Sequence, residues 1–290
     1  GIYIMTADRM GRAEETRRRR ICQEKIEEGA RKGICLAFSG GIDSSLLLAL
    51  ARKACREAGT LLEAVTFDTV LHPPCDLQTA AQVARELGAE HKVIYVDELR
   101  NPALADNPPD RCYICKKGLF EELIRYAKDR GLGTLIEGTN ADDLHVYRPG
   151  LRAIRELGLT SPLAEAGLTK AQVRSWAAEL GISVASRPSA PCLATRLPYG
   201  ARIDKSLLKR IGQEEEALRE MGLKNIRIRV HGETLRLETD VESFGQILGQ
   251  REEVLKILKK VGPIYLTLDL EGFRSGSMDL PLAERKKEQE

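Results

Sequence analysis

No apolar run in this 290-residue chain approaches the roughly 18–20 residues that a bilayer-spanning helix requires, so no membrane partner is expected. No apolar stretch of the secretory kind follows Gly1 to Met10, and no signal segment is read there. One-sided charge is missing as well. Lys and Arg number 45 against 43 Asp and Glu, a net of +2, which argues against a dedicated nucleic-acid binder. The basic run Arg17–Arg20 is read as the solvated face of a first helix. No internal repeat is found. The seven cysteines are an odd count without a leader, which argues against a disulfide framework and suits a reducing cytoplasm. No second Cys-x-x-Cys accompanies Cys112-Tyr113-Ile114-Cys115, which weakens a zinc ribbon.

What is present is an alternation. Short apolar runs at Ile34–Phe38, Leu61–Phe67, Lys92–Val96 and Thr134–Glu137 are separated by helical periodicity at Ser44–Ala58, Cys75–Gly88 and Leu119–Arg130. This spacing predicts an α/β domain with a parallel sheet and crossover helices. Thr169–Leu180 reads as a further helix capped by Thr169. The texture changes after Ser186. A Pro-, Ser- and Arg-rich loop over Arg187–Gly200 leads to a helix at Lys205–Met221, a hairpin of Ile226–Val230 and Thr234–Glu238, a helix at Val241–Lys260 and a strand at Tyr265–Leu270. The expected organisation is a larger parallel α/β domain over 12–186 and a smaller α+β domain over 187–283, with a frayed tail at Glu284–Glu290.

Ser39-Gly40-Gly41-Ile42-Asp43-Ser44-Ser45 directly follows the first strand and opens a helix. Adjacent glycines let backbone N–H groups close on an anion, and the helix N-terminus adds positive potential there. Ser39, Ser44 and Ser45 can add hydroxyl donors. Asp43 repels a bare phosphate, so it implies Mg²⁺ or a role in fixing the loop. The Gly-Lys-Ser/Thr ending of a Walker A loop is absent. Gly138-Thr139-Asn140-Ala141-Asp142-Asp143 follows another strand, and its carboxylates can hold Mg²⁺. Ligands of open parallel sheets sit beyond the strands' carboxyl ends, so both loops can face one crevice.

The Cys-x-x-Cys pair is placed where a turn enters the Leu119 helix. It fits a redox pair, half a zinc site or half an iron–sulfur site. Arg111, Lys116 and Lys117 beside it favour thiolates. Cys192 lies in a loop between Arg187 and Arg196 and is the third candidate. Three thiolates can hold three irons of a [4Fe-4S] cluster and leave the fourth open for exogenous sulfide. Cys35 reads as a core hydrophobe, Cys22 and Cys55 as helix residues, and Cys75 as a rival fourth ligand.

The Ser-Gly-Gly-x-Asp-Ser loop resembles that of the PP-loop enzymes, which cleave ATP between its α- and β-phosphates. Over about Arg12 to Asp279 the chain resembles the LarE family, ATP-dependent sulfur transferases of nickel-pincer nucleotide synthesis. The resemblance is carried by the phosphate loop, Gly138–Asp143 with Tyr147-Arg148-Pro149-Gly150, Ser161-Pro162-Leu163, Glu165–Lys170, Cys192–Gly200 and Leu268–Gly276. It implies adenylation of a carboxylate of pyridinium-3,5-biscarboxylic acid mononucleotide, then displacement of AMP by sulfur. One branch sacrifices the sulfur of a cysteine placed like Cys192. Another carries cysteines matching Cys112, Cys115 and Cys192 and a [4Fe-4S] cluster, and the chain resembles this one. Family acidic and arginine residues match Glu216, Glu238, Arg229 and Arg274, the two arginines as holders of the substrate phosphate. The implied partners are a small nucleotide, inorganic sulfide or another sulfur donor, and further copies of the chain. tRNA thiolation predicts a basic RNA-binding domain that the charge balance does not support. An amide ligase has no need of the three cysteines. A non-catalytic metal-binding module predicts a damaged phosphate loop, yet this loop is intact.

Overall fold

Continuous apolar runs bounded by turn residues pair side by side, as strands buried on both faces should. In the computed structural model, which describes residues 2–145, 150–182 and 191–289, β1 (Ile34–Ala37), β2 (Leu62–Thr69), β3 (His91–Val96) and β4 (Thr134–Ile136) form a parallel sheet in the order β3-β2-β1-β4. Register sets Ile34 beside Leu62 on one side and Thr134 on the other. Around it lie α1 (Ile2–Ala30), α2 (Ile42–Ala58), α3 (Pro74–Glu86), α4 (Arg111–Asp129), α5 (Gly150–Leu157), α6 (Pro162–Glu165) and α7 (Lys170–Glu179). Alternation along β1 divides its side chains between two cores. Ile34 and Leu36 pack with Ile26, Leu46, Leu47 and Trp176. Cys35 turns the other way, to Val65, Phe120, Leu123 and Ala153. Each fully buried aliphatic contributes about 1.5–3 kcal/mol.

A second sheet has the order β5-β6-β7, from β5 (Arg227–His231), β6 (Thr234–Glu238) and β7 (Tyr265–Leu268). β5 and β6 form the antiparallel hairpin, and β7 returns parallel to β6. α8 (Lys205–Glu220), α9 (Phe244–Gly249) and α10 (Arg251–Lys259) supply Leu208, Ile211, Ile247 and Leu258 to its core, and α11 (Leu280–Gln289) follows. The chain divides into two compact units. One takes in Gly1–Thr69, Pro74–Asp97 and Cys112–Ala190, the other Val70–Pro73, Glu98–Arg111 and Pro191–Glu290.

Some expectations are corrected. Helix α4 starts at Arg111 rather than Leu119, because the buried stripe Leu119, Phe120, Leu123 and Ala127 runs back to Cys115. Cys112 is therefore in the first turn of a helix and Cys115 at the start of the second. Val241–Lys260 is no single helix: a 3-10 turn at Val241–Ser243 precedes α9, and Gln250 in a non-helical conformation separates α9 from α10. Gly245 and Gly249 hold that stretch weakly. The tail expected to fray continues α11 to Gln289. Within the Arg187–Gly200 loop, Leu193–Arg196 make a 3-10 turn. Arg187, Tyr147-Arg148-Pro149, Glu290 and the boundary at 186/187 lie outside the described residues, and so does the side chain of Cys75.

Among the described residues no helix is long and apolar enough to cross a membrane.

Candidate functional site

Strand order locates the first site. β2 and β3 lie to one side of β1, and β4 lies to the other. The chain thus reverses direction of travel between β1 and β4, and the loops leaving these two strands splay apart there, the usual place for a ligand in an open α/β sheet. The loop after β1 is Ser39–Gly41. Gly40 takes φ +82°, and a Cβ there would fall 2.8 Å from Ala80 Cα, so α3 itself demands glycine. Gly41 caps α2 with no side chain on the helix end. Ser44 Oγ accepts from Ser39 N at 3.2 Å and lies 3.1 Å from Ser39 Oγ, while Gly41 N donates to Ser39 Oγ at 3.3 Å. Ser45 is buried and its hydroxyl has no hydrogen-bond partner.

The loop after β4 comes against this one. A Cβ on Gly138 would stand 3.1 Å from Ser44 N, so glycine lets the two loops touch. Asn140 Nδ2 donates to Asp43 Oδ1 at 3.3 Å, and Lys170 Nζ meets Asp43 Oδ2 at 2.7 Å. Lys170 opens α7, where Thr169 and Gln172 form a reciprocal capping box. Asp142 accepts from Lys170 N at 2.9 Å, and Asn140 Oδ1 accepts from Asp142 N at 2.9 Å. Thr139 N and Oγ1 donate to Glu137, as does Ser161 Oγ. Burial pushes the Glu137 carboxyl above the ordinary range against those hydrogen bonds. The structure thus joins Ser39, Gly40, Gly41, Asp43, Ser44, Ser45, Gly138, Thr139, Asn140 and Asp142 in one place. It adds Lys170, which the motifs include without a role of its own. A Lys directly after a predicted N-cap was the available signal.

The thiols divide by setting. Cys22 and Cys35 are fully buried and pushed up to about 12 by burial, and Cys55 is raised for the same reason. These are core groups. Cys112 is exposed on α4 and Cys115 is buried there. Cys192 is half-buried at the start of the Leu193–Arg196 turn.

The second unit holds the predicted acidic and arginine residues. Glu238 is fully buried and accepts from Arg229 at 3.2 Å, from Ser277 Oγ at 2.6 Å and from Arg236. Arg229 also donates to Thr195 O at 2.9 Å, which leaves its buried Nε without a partner. Arg274 pairs with Asp269 at 3.2 Å and Glu271 at 3.3 Å, and its Nε is likewise unpartnered. Glu216 is exposed and pairs only with Arg219 among described contacts, at 3.1 Å. Its neighbour Glu215 is the buried member, 1% exposed. Arg227, two residues before Arg229 on the same strand face, is a residue the sequence reading passed over. Burial, with Arg196 beside it, pushes its guanidinium down to about 10. The Arg-Ile-Arg alternation was the signal. Among the described residues no group of three or more His, Cys, Asp or Glu side chains is gathered closely enough to hold a metal ion.

Residues 29–119 match the asparagine synthase family. Among relatives, an uncharacterized protein of Synechocystis is 35% identical over 84% of this chain and 91% of its own length. The pyridinium-3,5-bisthiocarboxylic acid mononucleotide synthase of Lactiplantibacillus plantarum is 33% identical over 85% of this chain and 88% of its own. An uncharacterized protein of Methanocaldococcus jannaschii is 32% identical over 86% and 94%.

Proposed function

Because the chain belongs to the family of the pyridinium-3,5-bisthiocarboxylic acid mononucleotide synthases, we propose that it converts carboxylates of pyridinium-3,5-biscarboxylic acid mononucleotide into thiocarboxylates at the expense of ATP. The observation that carries this reading is Asp43, held between Asn140 and Lys170 where the loops after β1 and β4 meet. ATP binds with its phosphates on Ser39–Ser45 and the N-terminus of α2. Asp43 would hold Mg²⁺, a hard cation suited to carboxylate oxygen, and Lys170, whose ammonium stands 2.7 Å from Asp43, would supply positive charge beside the phosphates. Orienting the α-phosphorus toward a substrate carboxylate and stabilising the charge that builds on the leaving pyrophosphate is the work of these groups. The carboxylate oxygen attacks, the bond between α- and β-phosphates breaks, and pyrophosphate departs with the electron pair. A sulfide then attacks the acyl carbon, and AMP leaves with the electrons of the carbon–oxygen bond. The unpartnered Nε groups of Arg229 and Arg274 support a place for the substrate phosphate in the second unit.

Cys112, Cys115 and Cys192 are the sulfur-bearing residues of this reading. Three thiols are a donor set whose chemistry suits an iron–sulfur cluster. When bound, a [4Fe-4S] cluster supplies a sulfide on the iron that lacks a protein thiolate. Cys112, Cys115 and Cys192 would hold it, and Cys192 would then keep its own sulfur. The test is anaerobic turnover with ATP, the mononucleotide and sulfide. Expected are pyrophosphate release that requires the mononucleotide, its loss in Asp43→Ala, and an unmodified Cys192. Pyrophosphate released at the normal rate by Asp43→Ala overturns the ATP site. Dehydroalanine at position 192 by mass spectrometry overturns the cluster route and makes the Cβ–S bond of Cys192 the sulfur source.

A further inference from the structure

Arg196 has no place in the reaction just described, yet its side chain is 0% exposed. Burying a guanidinium costs several kcal/mol unless each donor is met. Here they are met on two sides. Nε and Nη2 grip both oxygens of buried Glu215, at 2.8 and 2.7 Å. Nη1 donates to Pro191 O at 3.2 Å, Cys192 O at 3.2 Å and Thr195 Oγ1 at 2.9 Å. Thr195 closes the ring by donating from Oγ1 to Cys192 O at 2.7 Å. Glu215 in turn accepts from the backbone of β5, Ile228 N, at 2.9 Å. The residue after Cys192 is pinned as well, Leu193 N to Leu71 O at 2.6 Å.

We infer that Arg196 is a positioning residue for Cys192: through Glu215 it fastens the Cys192 carbonyl to strand β5 and so fixes where the Cys192 sulfur stands. The inference rests on Cys192 bearing sulfur in the reaction. A half-buried loop cysteine with an untethered backbone samples many sulfur positions. Near-attack geometry tolerates little of that, since misplacement by about 1 Å costs on the order of a hundredfold. The planar fork is what the job needs. A lysine ammonium is a point charge and cannot span a carboxylate and a carbonyl cluster on opposite sides at once.

Arg196→Lys and Thr195→Val in the full-length chain test this. The second variant removes one link without leaving a buried charge, and it decides the matter if the first does not fold. The chelator-treated, reduced protein is exposed to iodoacetamide, and alkylation of Cys192 is followed by peptide mass spectrometry relative to Cys112 in the same molecules. The Cys192:Cys112 rate ratio should shift at least about fivefold, as loss of a charge-assisted hydrogen bond permits. Sulfur incorporated per pyrophosphate released should fall about tenfold. A folded variant with the wild-type alkylation ratio overturns the inference. Should Cys192→Ala still transfer sulfur, the functional reading of Cys192 fails, while the alkylation ratio still decides whether Arg196 positions that residue.

Discussion

A single carboxylate shows how this chain uses buried charge. Glu238 is fully buried. Burial raises its pKa, but Ser277, Arg229 and Arg236 outweigh that and hold it below the ordinary carboxylate value of 4.5. A depressed folded value means that the ionised form stabilises the fold above about pH 4.5. That contribution is lost as pH falls through the folded value. Glu238→Gln should cost about 3–5 kcal/mol at neutral pH, since it leaves the buried Arg229 without its carboxylate. Thermal melts of both proteins from neutral to acid pH check this. The difference between them should shrink below the ordinary carboxylate range, and a gap constant with pH would count against the role. Glu137 slopes the other way, because its raised value weakens the fold as pH climbs past 4.5.

At the level of elements, what the sequence made legible was periodicity and caps. The strands β1 to β4, the Thr169 cap and the hairpin around Gly232 were readable because each rests on local chemistry: apolar runs, a side-chain acceptor, a turn dipeptide. Helices α5 and α6 were not, being short and set beside a Pro-rich stretch. The Cys192 clamp was invisible for a different reason. Arg196, Glu215 and Ile228 are distant in sequence and only the fold of the second unit unites them. Likewise Glu216 and Glu215 cannot be told apart by composition, and only the turn of α8 decides which is buried. One cap links element to site. Thr169 accepts from Gln172 N at 3.3 Å and fixes the first turn that carries Lys170. Thr169→Ala should cost about 1 kcal/mol and raise the KM for ATP more than it lowers kcat. A melt and steady-state pyrophosphate kinetics check both, and an unchanged KM would separate the cap from the nucleotide site.

For the whole molecule, the units are not two consecutive stretches of chain. Leu71 from the first half of the sequence is in the core of the second unit, with Leu99 packed against it. Asn107, at φ +47° and fully buried, places its amide within 3.1 Å of Leu197 O and 3.0 Å of Pro198 O. A fragment of residues 187–290 lacks all of these. It should lose the dispersed amide spectrum of a packed domain, whereas the 290-residue chain keeps it. A well-dispersed spectrum from the fragment would instead support a simple division at residue 187.

Gly40 has a consequence for descent. Its left-handed backbone and its approach to Ala80 make it obligatory for seating α3 against the loop, whether or not a nucleotide ever binds. A descendant that lost the use of ATP would still be selected to keep this glycine, and with it Ala80, as a matched pair. Asp43, Asn140 and Lys170 carry no comparable steric duty and would drift first. In surveys of distant kin, the glycines therefore mark ancestry, and the trio around Asp43 marks a living activity.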